Sequence, residues 1–322
     1  MQELLEYLTL KQPQINATLA AETAQLNALV QPVVSHVLTA GGKRLRPLLT
    51  LLTAATLGYT DDDIYPLACS VELLHSATLM HDDIIDDAEL RRGKPAAHTQ
   101  FGNTKTVLAG DVLLAQANLV VARYNDSRLT QCIAEAIVET ATGEIEEIEY
   151  LHSTNHSQQT YIDIIKGKTA FLLQASCIMG AIKAGGSDEQ IAAASDFGMN
   201  LGIAFQIVDD ALDFAVSTKS IGKPVAGDLR EGKLTPPLLM YLNILEGAER
   251  DDFVTKFEAG TFSEEEICFV AKQIRGLGLD DATRELADSY LDKAQQALEI
   301  LPACPERKIL LQTLDYVKSR SA

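Results

Sequence analysis

Along almost the whole chain, apolar residues recur at intervals of three and four rather than two. Over 64–81, IYPLACSVELLHSATLMH, the residues Leu67, Val71, Leu74 and Leu79 fall on one helical face with small residues between them. The same period predicts helices over 105–124, 128–152, 157–183, 187–214 and 279–299. Strand-type alternation bounded by glycine-containing hairpin turns does not occur, so no sheet is expected. Prolines fall mostly at breaks between periodic segments: Pro13, Pro47, Pro95, Pro224, Pro236, Pro237, Pro302 and Pro305. Several central segments are apolar nearly all round, as helices covered by other helices are. With no linker, repeat or low-complexity tract, the expected architecture is all-α: one large helical bundle, a single domain over 1–322.

No run reaches the roughly 18–20 uninterrupted apolar residues that cross a bilayer. The start MQELLEYLTLKQPQ, with Glu3 and Glu6 and no basic region before an apolar core, does not read as a secretory leader. Composition adds that the chain is globular, with 47 % hydrophobic and 22 % charged residues. Lys and Arg number 27 against 45 Asp and Glu, a formal charge of −18. That field disfavours non-specific nucleic-acid binding. The acid is either surface solvation or concentrated where cations are held. Five widely spaced cysteines (Cys69, Cys132, Cys177, Cys268, Cys304), most in apolar surroundings, read as reduced thiols of a cytoplasmic protein. Without a CxxC pair they do not suggest zinc.

Two segments share one acidic design. HDDIIDD contains Asp82, Asp83 and Asp86, and FQIVDDALD contains Asp209, Asp210 and Asp213, each as Asp-Asp-x-x-Asp. On a helix, Asp82 stacks over Asp86 and Asp209 over Asp213, so each pair repels unless a cation sits between. Alone, such a run is most simply a solvated face. Both lie in largely apolar helices, however, where unpaired carboxylates are costly. Hard oxygen ligands at this spacing suit Mg²⁺, which keeps several waters and is shared with substrate phosphates. Two such clusters suggest a metal–diphosphate clamp.

Basic residues are grouped to match. Gly41-Gly-Lys43-Arg44-Leu-Arg46-Pro47 opens a predicted helix, a reasonable anion site. Arg91-Arg92-Gly-Lys94 follows the first acidic cluster, and Lys166-Gly-Lys168-Thr169 adds donors. The segment 217–235, STKSIGKPVAGDLREGKLT, has no helical pattern and carries Lys219, Lys223, Arg230 and Lys233 among Gly222, Gly227 and Gly232. Long structureless segments in compact domains tend to be functional. Each basic group alone could be a dipole partner or solubility charge. Arg and Lys gripping diphosphates explains them together with the acids.

Six motifs in order, GGKRLRP, HDDIIDDAELRRGKP, GD at 110–111, KGKTA, FQIVDDALD and GKPVAGDLREGKLTPPLL, resemble the trans (head-to-tail) polyprenyl diphosphate synthase family over nearly the whole chain. The resemblance implies an all-α bundle around a deep central cavity, a homodimer, and dependence on several Mg²⁺ ions per active site. By it, the six aspartates look like Mg²⁺ ligands gripping the allylic diphosphate. Arg91, Lys168, Lys223 and Lys233 look like cationic contacts of that diphosphate, and Thr169 and Gln206 like polar groups beside the developing allylic cation. Lys43, Arg46, His75 and Arg92 match positions that bind isopentenyl diphosphate. Lys168, Thr169 and Gln206 are then the catalytic trio.

Short-chain members place an aromatic five residues before the first motif. Here Ala77, followed by Thr78, stands about 7–8 Å along the helix from Asp82. An open tunnel and a product longer than C15–C20 are expected, with a medium-chain (farnesyl or geranylgeranyl) product as the alternative. A long apolar product would be handed on to a membrane.

Other classes fit fewer residues. A di-metal carboxylate bundle would use Glu72-Leu-Leu-His75 and Glu149-Tyr-Leu-His152 but leaves the aspartates and basic motifs without purpose. A terpene cyclase usually lacks the second aspartate motif and the isopentenyl clamp. A non-catalytic partner subunit commonly loses aspartates that are all present here. The run Glu144–Glu149 reads as a solvated helix face, and Asp61–Asp63 as acids at a helix start. His36, His81, His98 and His156 are expected on the surface or in packing.

Overall fold

The computed structural model describes residues 1–215 and 226–320. Lys219, Gly222, Lys223 and Pro224 of the predicted loop lie outside the described residues. Helices occupy nearly every stretch where apolar residues recur with helical period, including Ile64–Ile85, Asn103–Ala122, Ser127–Tyr150, Asp188–Ala215 and Leu279–Leu298. The chain divides into two compact units, one of residues 1–137, 172–195 and 298–312, the other of 138–171, 196–297 and 313–322.

The first unit is organised on helix Ile64–Ile85. Its residues Leu67, Val71, Leu74 and Ala77 are fully buried, in one core with Ala109, Leu113 and Ala117 of helix Asn103–Ala122. Small residues at 109 and 117 let two long helices pack closely along their length. Each fully buried Leu or Val here contributes about 1.5–3 kcal/mol. Contrary to the sheet-free expectation, the chain leaves this helix into a two-strand hairpin, Leu90–Arg91 against Lys94–Pro95. It is too short to show alternation, yet it decides where Arg91 and Arg92 point.

The second unit packs Phe214 of helix Asp188–Ala215 with Leu229, Leu234, Leu238, Phe257 and Ile274. Phe253 stacks on Phe257 at 6.0 Å between ring centroids. Short helix Gly227–Glu231 falls inside the segment expected to be without helical structure.

The predicted helix 157–183 is three pieces: Gln158–Ile165, a π-helical turn Lys166–Ala170, and Phe171–Lys183. Pro13 lies inside helix Gln2–Thr23 rather than at a break. It is exposed, so the carbonyl it deprives of a partner faces water. By length and composition, helices Asn103–Ala122 and Asp188–Ala215 are apolar enough to cross a membrane, although neither has an uninterrupted apolar run. Within the protein, 39 % and 56 % of their most apolar windows are buried.

Candidate active site

In the first unit, the aspartate motif occupies the last turn of helix Ile64–Ile85, with Asp86 as its C-cap. The Asp86 N–H donates to Asp82 C=O at 2.8 Å, so the two residues stack one turn apart as expected. Asp86 is exposed and Asp82 half-buried, whereas Asp83 is 3 % exposed. Arg91 Nε donates to Asp83 Oδ1 at 2.7 Å, which neutralises the one buried carboxylate of the motif.

The hairpin also turns Arg92 onto the glycine pair of GGKRLRP. The Arg92 guanidinium donates to Gly41 C=O. Gly42 has a φ of +140°, which L side chains rarely adopt, and a Cβ there would push against the Arg92 guanidinium at 2.6 Å, so glycine is favoured. A crevice beside it is lined by Glu72, His75, Asp83, Arg91, Arg92 and Lys94. Arg46 is half-buried, its Nε is buried without a hydrogen-bond partner, and burial of the guanidinium brings its pKa down to about 10. An unpartnered buried guanidinium N–H calls for an anion. Lys43 is exposed at the rim of this motif.

Arg44 faces the other way. It caps helix Leu45–Thr56 in the left-handed region at φ +50°, donating to Glu72 at 2.7 Å and to Asn16 at 3.3 Å. Glu72 is therefore a buried counter-ion, and the Glu72/His75 metal pair is excluded. Burial, followed by Arg46, Arg92, Arg91 and Arg44, holds His75 far below the ordinary histidine pKa, so it is neutral at pH 7. A base whose folded pKa is depressed takes up more protons unfolded, so its contribution is lost as pH falls below about 6.5. His75→Gln is expected to flatten the loss of stability between pH 7 and 5, measured by urea unfolding across pH. An unchanged slope would assign that loss elsewhere.

In the second unit, the π-turn Lys166–Ala170 is wedged between two helices by glycines. A Cβ on Gly143 would sit 2.5 Å from Lys168 N, and one on Gly202 2.5 Å from Ala170 Cα. The extra residue of a π-turn re-aims side chains, a device common at functional sites. Here it brings Thr169 Oγ1 to donate to Gln206 Oε1 at 2.8 Å, and Gln206 Nε2 donates to Asp210 at 2.8 Å. Tyr161 OH also donates to Asp210, at 2.5 Å. Lys168 pairs with Glu144 at 3.0 Å and Glu147 at 2.5 Å, and Lys233 with Glu231 at 2.7 Å and Glu147 at 3.5 Å. The run Glu144–Glu149 is thus not simply a solvated face. His152 is no metal partner of Glu149: its Nδ1 bonds Phe257 C=O at 2.9 Å.

The second aspartate motif is crowded with acid. Asp213 accepts from Asp228 N–H at 3.0 Å, while Asp228 Oδ2 is buried without a partner. Burial raises Asp210 to about 7 and lifts Asp228 well above the carboxylate range, the latter also through Asp210 and Asp213. Burial raises Asp213 as well. Asp209 pairs with Arg320 at 2.5 Å, and that guanidinium stacks 4.2 Å over Phe205.

Among the described residues, no three carboxylates or imidazoles converge as a closed metal cage. The orphaned Asp228 oxygen and the disfavoured charge on Asp210 and Asp213 nevertheless fit a hard cation that completes its shell with water and phosphate oxygen. Sequence reasoning missed Arg44, Glu147, Tyr161, Asp228 and Arg320. Lys223 lies outside the described residues.

The profile named Polyprenyl synthetase matches residues 27–297. The chain belongs to this family. It is similar to heptaprenyl diphosphate synthase component 2 of Bacillus subtilis, 37 % identical over 286 residues, covering 88 % of this chain and 81 % of that one. A geranylgeranyl diphosphate synthase of Methanosarcina mazei is 34 % identical, with 88 % of each chain covered. A crystal structure of a Caulobacter crescentus polyprenyl synthase complexed with calcium and isoprenyl diphosphate superposes with TM-score 0.93 at 37 % identity, covering 100 % of this chain and 98 % of that one. The fold is the all-α isoprenoid synthase fold, and the protein is a trans-polyprenyl diphosphate synthase, a prenyltransferase that joins isopentenyl and allylic diphosphates.

Proposed function

We propose that this synthase condenses isopentenyl diphosphate head-to-tail with an allylic diphosphate, with Mg²⁺, to a long all-trans chain beyond C20. The observation that carries the assignment of residues is the buried, unpartnered Arg46 Nε–H, whose guanidinium acts electrostatically on neutral His75 and on Arg92. Together with Lys43, these groups bind isopentenyl diphosphate. Arg91, Lys168 and Lys233 take the charge of the allylic diphosphate, as Lys223 does by the resemblance. Asp82, Asp83 and Asp86, and Asp209, Asp210 and Asp213, would hold Mg²⁺, which would supply positive charge to the leaving diphosphate. Gln206, held by Asp210 and hydrogen-bonded to Thr169, offers its amide dipole, and Thr169 its hydroxyl dipole, to the allylic carbon as positive charge builds. The isopentenyl double bond, held by its own diphosphate, attacks that carbon. The released diphosphate removes the proton that restores the alkene.

Incubation with Mg²⁺, labelled isopentenyl diphosphate and farnesyl or geranylgeranyl diphosphate is expected to give long-chain product. No incorporation with any starter would sink the assignment.

The absence of an aromatic at Ala77 and Thr78 supports the long product. Ala77 is fully buried, and the crevice reached by Ser76 and Leu79 does not include it, which favours the medium-chain alternative. Ala77→Phe decides between them. If the tail passes this position, the product shortens by several isoprene units on reversed-phase chromatography; an unchanged product would mean that it does not.

Association as a homodimer is supported by helix Asn103–Ala122, which leaves Leu108 and Leu119 exposed on one stripe with Ala115. Five free thiols, three of them buried, agree with a reducing cytoplasm.

A further inference from the structure

Three charged side chains of the second unit meet from separate stretches of chain. Glu147 comes from helix Ser127–Tyr150, Lys168 from the π-turn, and Lys233 from the residues after helix Gly227–Glu231. The Glu147 carboxylate lies 2.5 Å from Lys168 Nζ and 3.5 Å from Lys233 Nζ. All three are less than a quarter exposed: Glu147 and Lys233 at 18 %, Lys168 at 22 %. Burial works against the charge on Glu147, but Lys168 and Lys233 override it and hold the carboxyl below its usual range. Burial likewise opposes charge on Lys168, and Glu147 overrides it. Lys168 and Lys233 repel each other, and Glu147 stands with both in a crevice shared with Asp210, Asp228 and Tyr161.

A carboxylate seated on two ammoniums offers the oxygen pattern that a phosphate group would offer them. We infer that Glu147 is a built-in competitor of the diphosphate: it gathers Lys168 and Lys233 and yields them when diphosphate arrives. The inference rests on the proposed role of these two lysines in holding allylic diphosphate. Glu147 acts through the lysines and touches no reacting atom, so it is a positioning residue. Its charge lowers the affinity of the site for a polyanion, which favours release of product diphosphate after each condensation. Among the described residues, Glu144 also pairs with Lys168 and Glu231 with Lys233, but Glu147 reaches both lysines.

The test uses the full chain with Mg²⁺ and inorganic diphosphate as probe, by calorimetric titration and by inhibition of turnover. Glu147→Gln keeps shape and removes charge; its dissociation constant for diphosphate is expected to fall about three- to tenfold, the scale of one partly screened charge. KM for the allylic substrate falls with it, and kcat falls because release slows. Glu147→Asp, which keeps the charge, stays within about twofold of wild type. In a Lys168→Gln/Lys233→Gln background the gain from Glu147→Gln disappears. Equal or weaker binding by a Glu147→Gln protein of unchanged melting temperature overturns the inference, as does a gain that persists without the lysines. A wild type that condenses no isopentenyl diphosphate overturns the reading of the lysine site and this inference with it. An active wild type with an indifferent Glu147→Gln overturns this inference alone.

Discussion

Replacing Lys168 with Ala is expected to lower kcat by about 10²–10³-fold, the cost of losing one preorganised donor aimed at developing charge, about 2.7–4 kcal/mol. Lys168 is a strong candidate for so large an effect because its position is determined from several sides. The π-turn sets its backbone, Gly143 and Gly167 close the turn against helix Ser127–Tyr150, and two carboxylates hold its ammonium protonated. A donor already in place loses little to reorganisation when the C–O bond breaks. Lys168→Ala also leaves Glu147 with Lys233 as partner, so the fold is expected to persist with a modest drop in melting temperature. Steady-state kinetics at saturating Mg²⁺ and both substrates read the effect. A kcat within threefold of wild type would remove Lys168 from the chemistry.

The helices were legible because apolar residues recur every three to four positions, a period that survives even in Ile64–Ile85, which is buried nearly all round. The π-turn was not. Its five residues, Lys166-Gly-Lys-Thr-Ala170, sit between two apolar helical segments, and a one-residue insertion in the hydrogen-bond ladder leaves no compositional mark except Gly167 between two lysines. The two-residue hairpin at 90–95 was invisible for a different reason, being shorter than one alternation. Pro13 shows the limit of punctuation: an exposed proline is tolerated where water can satisfy the carbonyl it orphans.

The aspartate pairs were readable because their spacing is itself geometry. Arg44 and Glu147 were not, since their roles depend on conformation and on distant partners. Arg44 stands between Lys43 and Arg46 with the same charge, but its backbone is left-handed and its guanidinium is spent on Glu72. Glu147 sits in a run that reads as solvated, yet Ile145 and Ile148 are exposed, at 68 % and 47 %, while Glu147 turns inward. Such inverted amphipathicity could have been suspected from Glu-Glu flanked by isoleucines, but the lysines that justify it come from Lys168 and Lys233. The Asp228 oxygen illustrates the same point. One more acid beside a lysine-rich segment is ordinary in sequence, and only burial beside Asp210 and Asp213 makes it a cation-seeking group.

Gly143→Ala is expected to destabilise the synthase by about 2–3 kcal/mol, the upper range for overpacking a close-packed contact. The added Cβ would stand 2.5 Å from Lys168 N and 2.6 Å from Gly167 Cα, and both are backbone atoms that cannot swing aside as a side chain could. Helix and π-turn must separate by the better part of an ångström, and Lys168 and Thr169 move with the turn. Activity should therefore fall further than stability alone explains, because the Thr169–Gln206–Asp210 chain of hydrogen bonds is built on that turn. With an unfolding entropy of about 2.1 cal/mol/K per residue, each kcal/mol moves the midpoint of a chain of this size by about 1.5 °C, so the melting temperature drops by roughly 3–5 °C. Differential scanning calorimetry and kinetics well below the transition separate the two losses. A Gly143→Ala protein with unchanged melting temperature would mean that helix and turn are not in backbone contact. One that melts earlier but keeps full kcat at low temperature would mean that the turn does not position the catalytic groups.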